Sequence, residues 1–552
     1  MHQLVRLDAN VGQSSGTPEE VLAYISHRLD EINTIRRSID DEELLLKARR
    51  NSFVPINRLP NEIMVKLLVL YEEYWYGRPQ IAAPVAWIRV TSVCRHWHNV
   101  ACATPLLWST IEVSKTNVAW LDLCLARSAM ASLSLSLRSP SDELLSRVAS
   151  HSRRIKRLTV MGAWNSRSLS FLRGSMPLLE TLDITAITPE VAPDFFDFEM
   201  SPRNYPFLRV LEITSIDSIP RNAESYTGLR QLSLSTCWLD ISLDQFLDIM
   251  SACTCLESLS FNDFFAGLAH QGRTSRLGPA PWRPLISLPQ LTTLMLEDEF
   301  HHDVARFLAH LVLSPAVELG IHAVFHPSGG PARMSAALPA NRATTLPLLS
   351  TVTSVELDMS PDEYVLRAAK DAIMRNDDAV LSLVTTEHVD WYDYLRHGLS
   401  DLVNIFQAAP LTRLSVAGNY DCVADPNDWR TVFAAFPKLR ELECYAFGTS
   451  STTLLWTVLS HNEAAQAILC PELQSIRMYG CRIKGSQEAG SFFESMHACL
   501  RSRTMPEGRG MQRLDLEVQS QGQELDERLR RDYGPTLQNL VDEVRLNFKP
   551  YY

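Results

Sequence analysis

One short phrase recurs along this chain and limits its fold more than any other feature. Leu-x-x-Leu-x-Leu, with other apolar residues admitted at each anchor, occurs at Leu179/Leu182/Ile184, Leu208/Leu211/Ile213, Leu229/Leu232/Leu234, Leu256/Leu259/Phe261 and Leu291/Leu294/Leu296. It returns at Val352/Val355/Leu357, Leu411/Leu414/Val416, Leu439/Leu442/Cys444, Leu473/Ile476/Met478 and Met511/Leu514/Leu516. Weaker copies begin at Met130, Ile155, Ala316 and Asp378. Pro177, Pro206, Pro289, Pro437 and Pro471 each stand two residues before a first anchor, which suits strand entry, where a missing N–H loses no ladder bond. Cys237, Asn419 and Cys481 occupy the next repeat position, where a thiol or amide can cap turn backbone.

A unit of this kind is one short strand and a return, and it cannot bury its apolar side alone. Stacking neighbours supply the core, so the phrase predicts an α/β leucine-rich-repeat solenoid with units of uneven length. Leu243–Met250 has the apolar spacing of a helical return. Asp362 to Ala409 reads as longer helices outside the pattern. Pro327 to Leu346, rich in Pro, Ser, Gly and Ala, reads as a mobile insertion.

Ahead of the array the pattern changes to helical. Thr17-Pro18-Glu19-Glu20 has the form of a capping box with proline at the first helical position. Leu22, Ile25, Leu29, Ile32, Ile35 and Ile39 then fall on one narrow face. The stripe covers too few heptads to require a coiled coil, and the expectation is a helix packed on its own protein. Leu59-Pro60-Asn61-Glu62-Ile63, with Leu67 one turn on, is a second helix start. Val90, Val93, Trp97 and Val100 or Ala101 share one face of a third helix, and Thr104-Pro105-Leu106-Leu107-Trp108 closes the region.

On these residues the chain resembles the F-box family, whose pattern runs L-P-x-E-I, then V-C-r-x-W, then a-x-x-P-x-L-W. The matching positions are Leu59, Pro60, Glu62, Ile63 and Leu67; Val93, Cys94, Arg95 and Trp97; and Thr104, Pro105, Leu107 and Trp108. The linker from Tyr71 to Ala86 is longer than in the minimal F-box and resembles the expanded fungal branch. The resemblance implies a three-helix unit that binds a Skp-family adaptor and, through it, a cullin. It implies adaptor contact for Leu59, Pro60, Ile63, Leu67 and Val93, and a core role for Trp97 and Trp108.

Alternate positions of the repeat strands point away from the anchors. They place Glu356, Asp358, Glu443, Tyr445, Arg477, Tyr479, Asp515 and Glu517 on one face, a candidate surface for a protein target. Acidic residues are frequent there, so a basic target segment is one reading and an ordinarily solvated face the other.

The remaining signals exclude more than they assign. A net charge of −12 over 552 residues, with no dense basic run, argues against nucleic acid as the main partner. No apolar window is long enough to cross a membrane, no export signal is visible at the N-terminus, and eleven scattered cysteines read as reduced thiols. The expected location is the cytoplasm or nucleus. No nucleotide loop or nucleophile elbow is present, and no catalytic residue, cofactor or metal is assigned. Glu297 to Asp303 reads as a polar loop. The organisation expected is a disordered start (1–16), a helix (17–52), an F-box-like domain (53–113), the repeats (114–548) and a short tail (549–552). The function expected is that of a substrate receptor in a ubiquitin ligase. The alternatives are a repeat scaffold independent of ubiquitin and, remotely, a hydrolase-like enzyme with its site near Asp362 to Ala409.

Overall fold

The computed structural model describes residues 17–76, 86–115, 117–162, 168–186, 200–216, 219–237, 241–266, 268, 283–325, 333–359, 363–371, 379–385, 394–418, 424–460, 468–483, 485–504, 510–520 and 523–550. They form two compact units. The first runs to Glu112 and takes in Asn117–Ser134; the second takes in Val113–Thr116 and everything from Leu135.

The second unit is a mixed α/β body built on a long, mainly parallel sheet. From Ile155 onward its strands are β1 (Ile155–Gly162), β2 (Thr181–Ala186), β3 (Val210–Thr214), β4 (Gln231–Ser235), β5 (Ser258–Asn262), β6 (Thr293–Phe300), β7 (Glu318–Val324), β8 (Ser354–Met359), β9 (Tyr364–Ala369), β10 (Leu381–Thr385), β11 (Arg413–Ala417), β12 (Glu441–Tyr445), β13 (Ser475–Ile483), β14 (Met511–Ser520) and β15 (Val541–Pro550). β1 to β7 pair in parallel in chain order. β7 then pairs with β10, and β8 with β11, also in parallel. β9 lies antiparallel between β10 and β8. β11 to β15 complete the parallel series.

The register explains the phrase. Leu182, Leu211, Leu232, Leu259, Leu294, Leu319 and Leu381 stand side by side across seven strands, and Ile184, Ile213, Leu234, Phe261, Leu296, Ile321 and Leu383 form the next row. Val355, Leu414, Leu442, Ile476 and Leu514 continue the first row beyond β9. Every anchor of the ten strong phrases is buried. At about 1.5–3 kcal/mol per large apolar side chain, these rows dominate the folding energy of the unit. The weaker phrases are strands too, at Leu133–Arg138, Ile155–Gly162, Glu318–Val324 and Leu381–Thr385.

The prolines have a different cause from the one the sequence suggested. The first anchor donates its N–H to the carbonyl three residues back: Leu179 to Met176 (3.1 Å), Leu208 to Tyr205 (3.3 Å), Leu291 to Leu288 (3.2 Å), Leu439 to Phe436 (3.2 Å) and Leu473 to Cys470 (3.1 Å). Each proline is therefore the second residue of a β-turn that delivers the chain into the strand, a position its fixed φ favours. Cys237 caps backbone as expected, its Sγ lying 3.3 Å from the Ser235 carbonyl and 3.6 Å from that of Ile213. Cys481 is buried within β13, and Asn419 lies outside the described residues.

Three expectations are corrected. The described residues of the segment from Asp362 to Ala409 are not all helical: they contribute β9 and β10 before the helix Tyr394–Phe406, because Tyr364, Leu366 and Leu383 extend the sheet core. Of Pro327 to Leu346, residues 333–346 are packed, with Met334, Ala337, Leu338 and Leu346 buried; 327–332 lie outside the described residues. Glu297 to Asp303 is the end of β6 running into the helix His301–Leu308, not a loop. Glu299 is buried there and accepts the N–H groups of Phe264 (2.6 Å) and Phe265 (3.0 Å).

Asp401 ties the departure from the repeat together. It is fully buried and accepts from Met334 N (2.7 Å), Ser335 N (3.2 Å), Ser335 Oγ (2.6 Å) and Tyr364 Oη (2.9 Å). Burial pushes its carboxyl up, against these donors. Asp401→Ala orphans all four and is expected to cost about 3 kcal/mol or more, read as a fall in denaturant midpoint.

The first unit is helical. α1 (Pro18–Ser52) has the expected capping box at Thr17 but, against expectation, buries none of its residues. α2 (Asn61–Tyr76) turns Met64, Leu68 and Glu72 into the core. A 3₁₀ segment, Ala86–Ser92, precedes α3 (Arg95–Cys102), so Val90 and Val93 do not share one helix with Trp97: Val90 is buried and Val93 exposed. Tyr71–Tyr76, read as linker, belongs to α2, and 77–85 lie outside the described residues. Trp87 and Trp108 meet edge to face at 5.2 Å, Trp108 donates Nε1–H to the Ala101 carbonyl (2.8 Å), and Arg127 lies over its ring.

Glu72 is the weak point of this core. Burial pushes its carboxyl from 4.5 up to about 8, although Thr110 hydrogen-bonds to it. Between those values the folded unit holds a proton that the unfolded chain has released, so stability falls as pH rises through that window. Glu72→Gln removes the titration. The variant is expected to match the wild type near about pH 5 and to exceed it by about 2 kcal/mol at about pH 8, measured by chemical denaturation.

Candidate functional site

A protein-docking surface needs apolar groups that the fold leaves out of its own core. On α2 such groups form a strip. Ile63, Leu67, Leu70 and Tyr74 recur at four, three and four residues on a face distinct from that of Met64, Leu68 and Glu72. Their exposures are 41%, 41%, 61% and 50%, against 0% and 2% for Met64 and Leu68. Val93 and Leu106, at 56% and 55%, are further exposed apolar residues of the same unit.

Of the residues assigned to adaptor contact, Ile63, Leu67, Pro60 and Val93 are exposed and Leu59 is half-buried. Of the two assigned to core, Trp108 is buried. Trp97 is only half-buried; its indole N–H donates to Asn57 Oδ1 (2.6 Å), and Asn57 in turn donates to the Asn51 carbonyl (2.8 Å). That chain holds the end of α1 to the start of α3. Leu70, Tyr74 and Leu106 were missed by sequence reasoning. The first two continue the spacing of Ile63 and Leu67, which could have found them.

The candidate target face is assembled by register. Glu356, Ser415, Glu443, Arg477, Asp515 and Arg545 form one row across β8 and β11 to β15. Asp358, Ala417, Tyr445 and Tyr479 form the row beside it. Tyr445 and Tyr479 stack at 5.0 Å and 20°. A shallow cavity of about 400 Å³ is lined by Glu356, Arg413, Glu441, Glu443, Tyr445 and Arg477 among others.

The charges on this face are matched. Arg367 faces Glu356 (3.5 Å), Arg413 faces Glu441 (3.2 Å), Arg477 pairs with both Glu441 and Glu443, and Lys549 faces Glu517 (2.8 Å). Tyr445 donates its hydroxyl to Glu443 (2.9 Å), and burial together with that carboxylate pushes its phenol up. Asp515 is buried rather than presented, held by Arg513 (2.7 Å). Asp358 is half-buried and burial pushes its carboxyl up. Surplus acidity, the basis for a basic target, is therefore largely cancelled by cations on adjacent strands.

The six polar residues from Glu297 to Asp303 do not converge. Glu299 turns to Phe264 and Phe265, Asp298 pairs with His322 (2.7 Å) and Asp303 with His302 (3.3 Å). Among the described residues no group of His, Cys, Asp and Glu could hold a metal ion, and no helix is long and apolar enough to cross a membrane.

No protein-family model matches the chain, and no curated protein matches it. Among solved structures, one described as a crystal structure of a TLR13–ssRNA13 complex matches at 12% sequence identity and a TM-score of 0.19. The match covers 72% of this chain and 63% of that chain, so this chain spans less than two thirds of that protein's length. A likeness at that TM-score settles neither fold nor ligand.

Proposed function

We propose that this protein is the substrate-receptor subunit of a Skp–cullin–F-box type ubiquitin ligase. In this reading the first unit is an F-box, and the sheet of the second is the inner face of a leucine-rich-repeat solenoid that holds a protein target. The observation that carries it is the strip Ile63, Leu67, Leu70 and Tyr74, left exposed on α2 while Met64, Leu68, Trp87, Val100 and Trp108 complete the core of the same unit. Exposed aliphatic and aromatic residues in one line suit an anchor-in-groove contact. They coincide with motif positions at Ile63 and Leu67.

The protein itself performs no chemistry in this scheme. It binds the adaptor through the first unit and the target through the second. A target lysine then meets charged ubiquitin at high effective concentration. The target face offers an aromatic step and a charge-matched network, so target selection rests on shape and hydrogen bonding more than on net charge.

Co-purification with a Skp-family adaptor tests the reading. Ile63→Glu/Leu67→Glu is expected to weaken adaptor binding by about 100-fold or more while leaving the melting temperature unchanged, because neither side chain is in the core. Leu123→Glu, on another exposed apolar residue of the unit, is expected to bind as the wild type does. Failure of the wild type to bind, or full binding by the double variant, overturns the proposal.

A further inference from the structure

The sequence reading packs α1 on its own protein, but its 35 residues include none that is buried. Leu22, Ile25, Leu29, Ile32, Ile39 and Leu46 are all exposed. A helix about 50 Å long with a bare isoleucine–leucine seam is unstable alone in water, so the seam calls for a partner.

The seam has a heptad frame once the whole helix is taken. With Leu22 at the first core position, the second core position holds Ile25, Ile32, Ile39 and Leu46 without interruption. The first holds Leu22, Leu29, Arg36, Glu43 and Arg50. In a parallel, in-register pair Arg36, Glu43 and Arg50 would each meet their own copy, like charge on like charge.

Reversing one helix removes that conflict. Position 22 then lies level with 46 of the other copy, and 34 sits on the two-fold axis, near the middle of Pro18–Ser52. The core layers become Leu22 with Leu46, Ile25 with Glu43, Leu29 with Ile39, and Ile32 with Arg36, the polar stems packing on isoleucine and their heads reaching the rim. Flanking positions agree. Arg28 meets Glu42 and Glu19 meets Lys47, each twice by symmetry, while Ile35 meets itself across the axis. Sliding the pair by one heptad brings Arg28 against Arg49 in one direction and Glu19 against Asp40 in the other. Charge complementarity thus selects one register and one direction.

We propose that α1 is a homodimerisation device, and that its seam is covered by α1 of a second copy in an antiparallel coiled coil with Leu22 opposite Leu46. The interface is isologous and closes at two copies. The proposal does not depend on adaptor binding.

Sedimentation equilibrium of the full chain tests it. The wild type is expected to sediment at twice the mass of the 62.3 kDa chain, and Ile32→Asp as a monomer that loses the helix content of α1 alone, with the unfolding of the rest of the chain kept. Arg28→Glu alone is expected to weaken the dimer about tenfold, and Arg28→Glu/Glu42→Arg to restore it, since the swapped charges again face each other. A monomeric wild type overturns the proposal, including the case in which a different protein or a lipid surface covers the seam. A dimer indifferent to Arg28→Glu, or not restored by the double exchange, overturns the antiparallel register.

Discussion

The repeat unit depends on the lateral register of its anchors. In a parallel sheet the side chains of neighbouring strands stand level, and a slip of one residue would send every anchor to the solvent side. Here the rows through Leu182 and Ile184 run unbroken to Leu381 and Leu383. Past β9 they resume at Val355 and Leu357, so a single antiparallel strand is absorbed without loss of the frame. Everything on the opposite face, from the charge network to the Tyr445–Tyr479 step, inherits its spacing from those rows.

That dependence sets how much could be read from the sequence. The anchors were legible because burial demands a residue type at a fixed spacing; the weak phrases at Ala316 and Asp378 also lead into strands, although Ala316 is exposed and Asp378 lies outside the described residues. β9 was illegible for the complementary reason: Tyr364, Val365, Leu366, Ala368 and Ala369 are all buried, so the strand shows no alternation. A continuous apolar run cannot be told from a helix by period alone. The turn before five of the strands was marked by its proline, but its cause, the N–H of the first anchor reaching three residues back, is visible only in the folded chain. A further mark went unread. Ser215, Thr236, Asp263 and Ala446 each follow a strand with positive φ, and each gives its N–H to the next strand's carbonyl. Small and polar residues at that position were the available signal.

The sites were legible in kind more than in surroundings. Ile63 and Leu67 could be named because a motif and a helical period agree on them. That they are exposed depends on which face of α2 meets Trp87 and Trp108, and no local pattern states it. Of the acidic positions named on the strand face, Asp515 is buried, and others find partners on neighbouring strands: Arg367 for Glu356, Lys549 for Glu517. Charge read along one strand overstates the charge of the assembled face, because pairing with neighbouring strands brings unlike residues together.

The α2 strip separates a receptor from a self-contained repeat protein, and its occupancy can be mapped directly. Hydrogen–deuterium exchange of the full chain, with and without a Skp-family adaptor, reports where that surface is covered. The account predicts slowed exchange confined to α2 and the segment from Val93 to Leu106, with the strand face from Glu356 to Glu517 unchanged. Protection of the strand face with α2 left as in the free chain, or no protection anywhere at saturating adaptor, would contradict it.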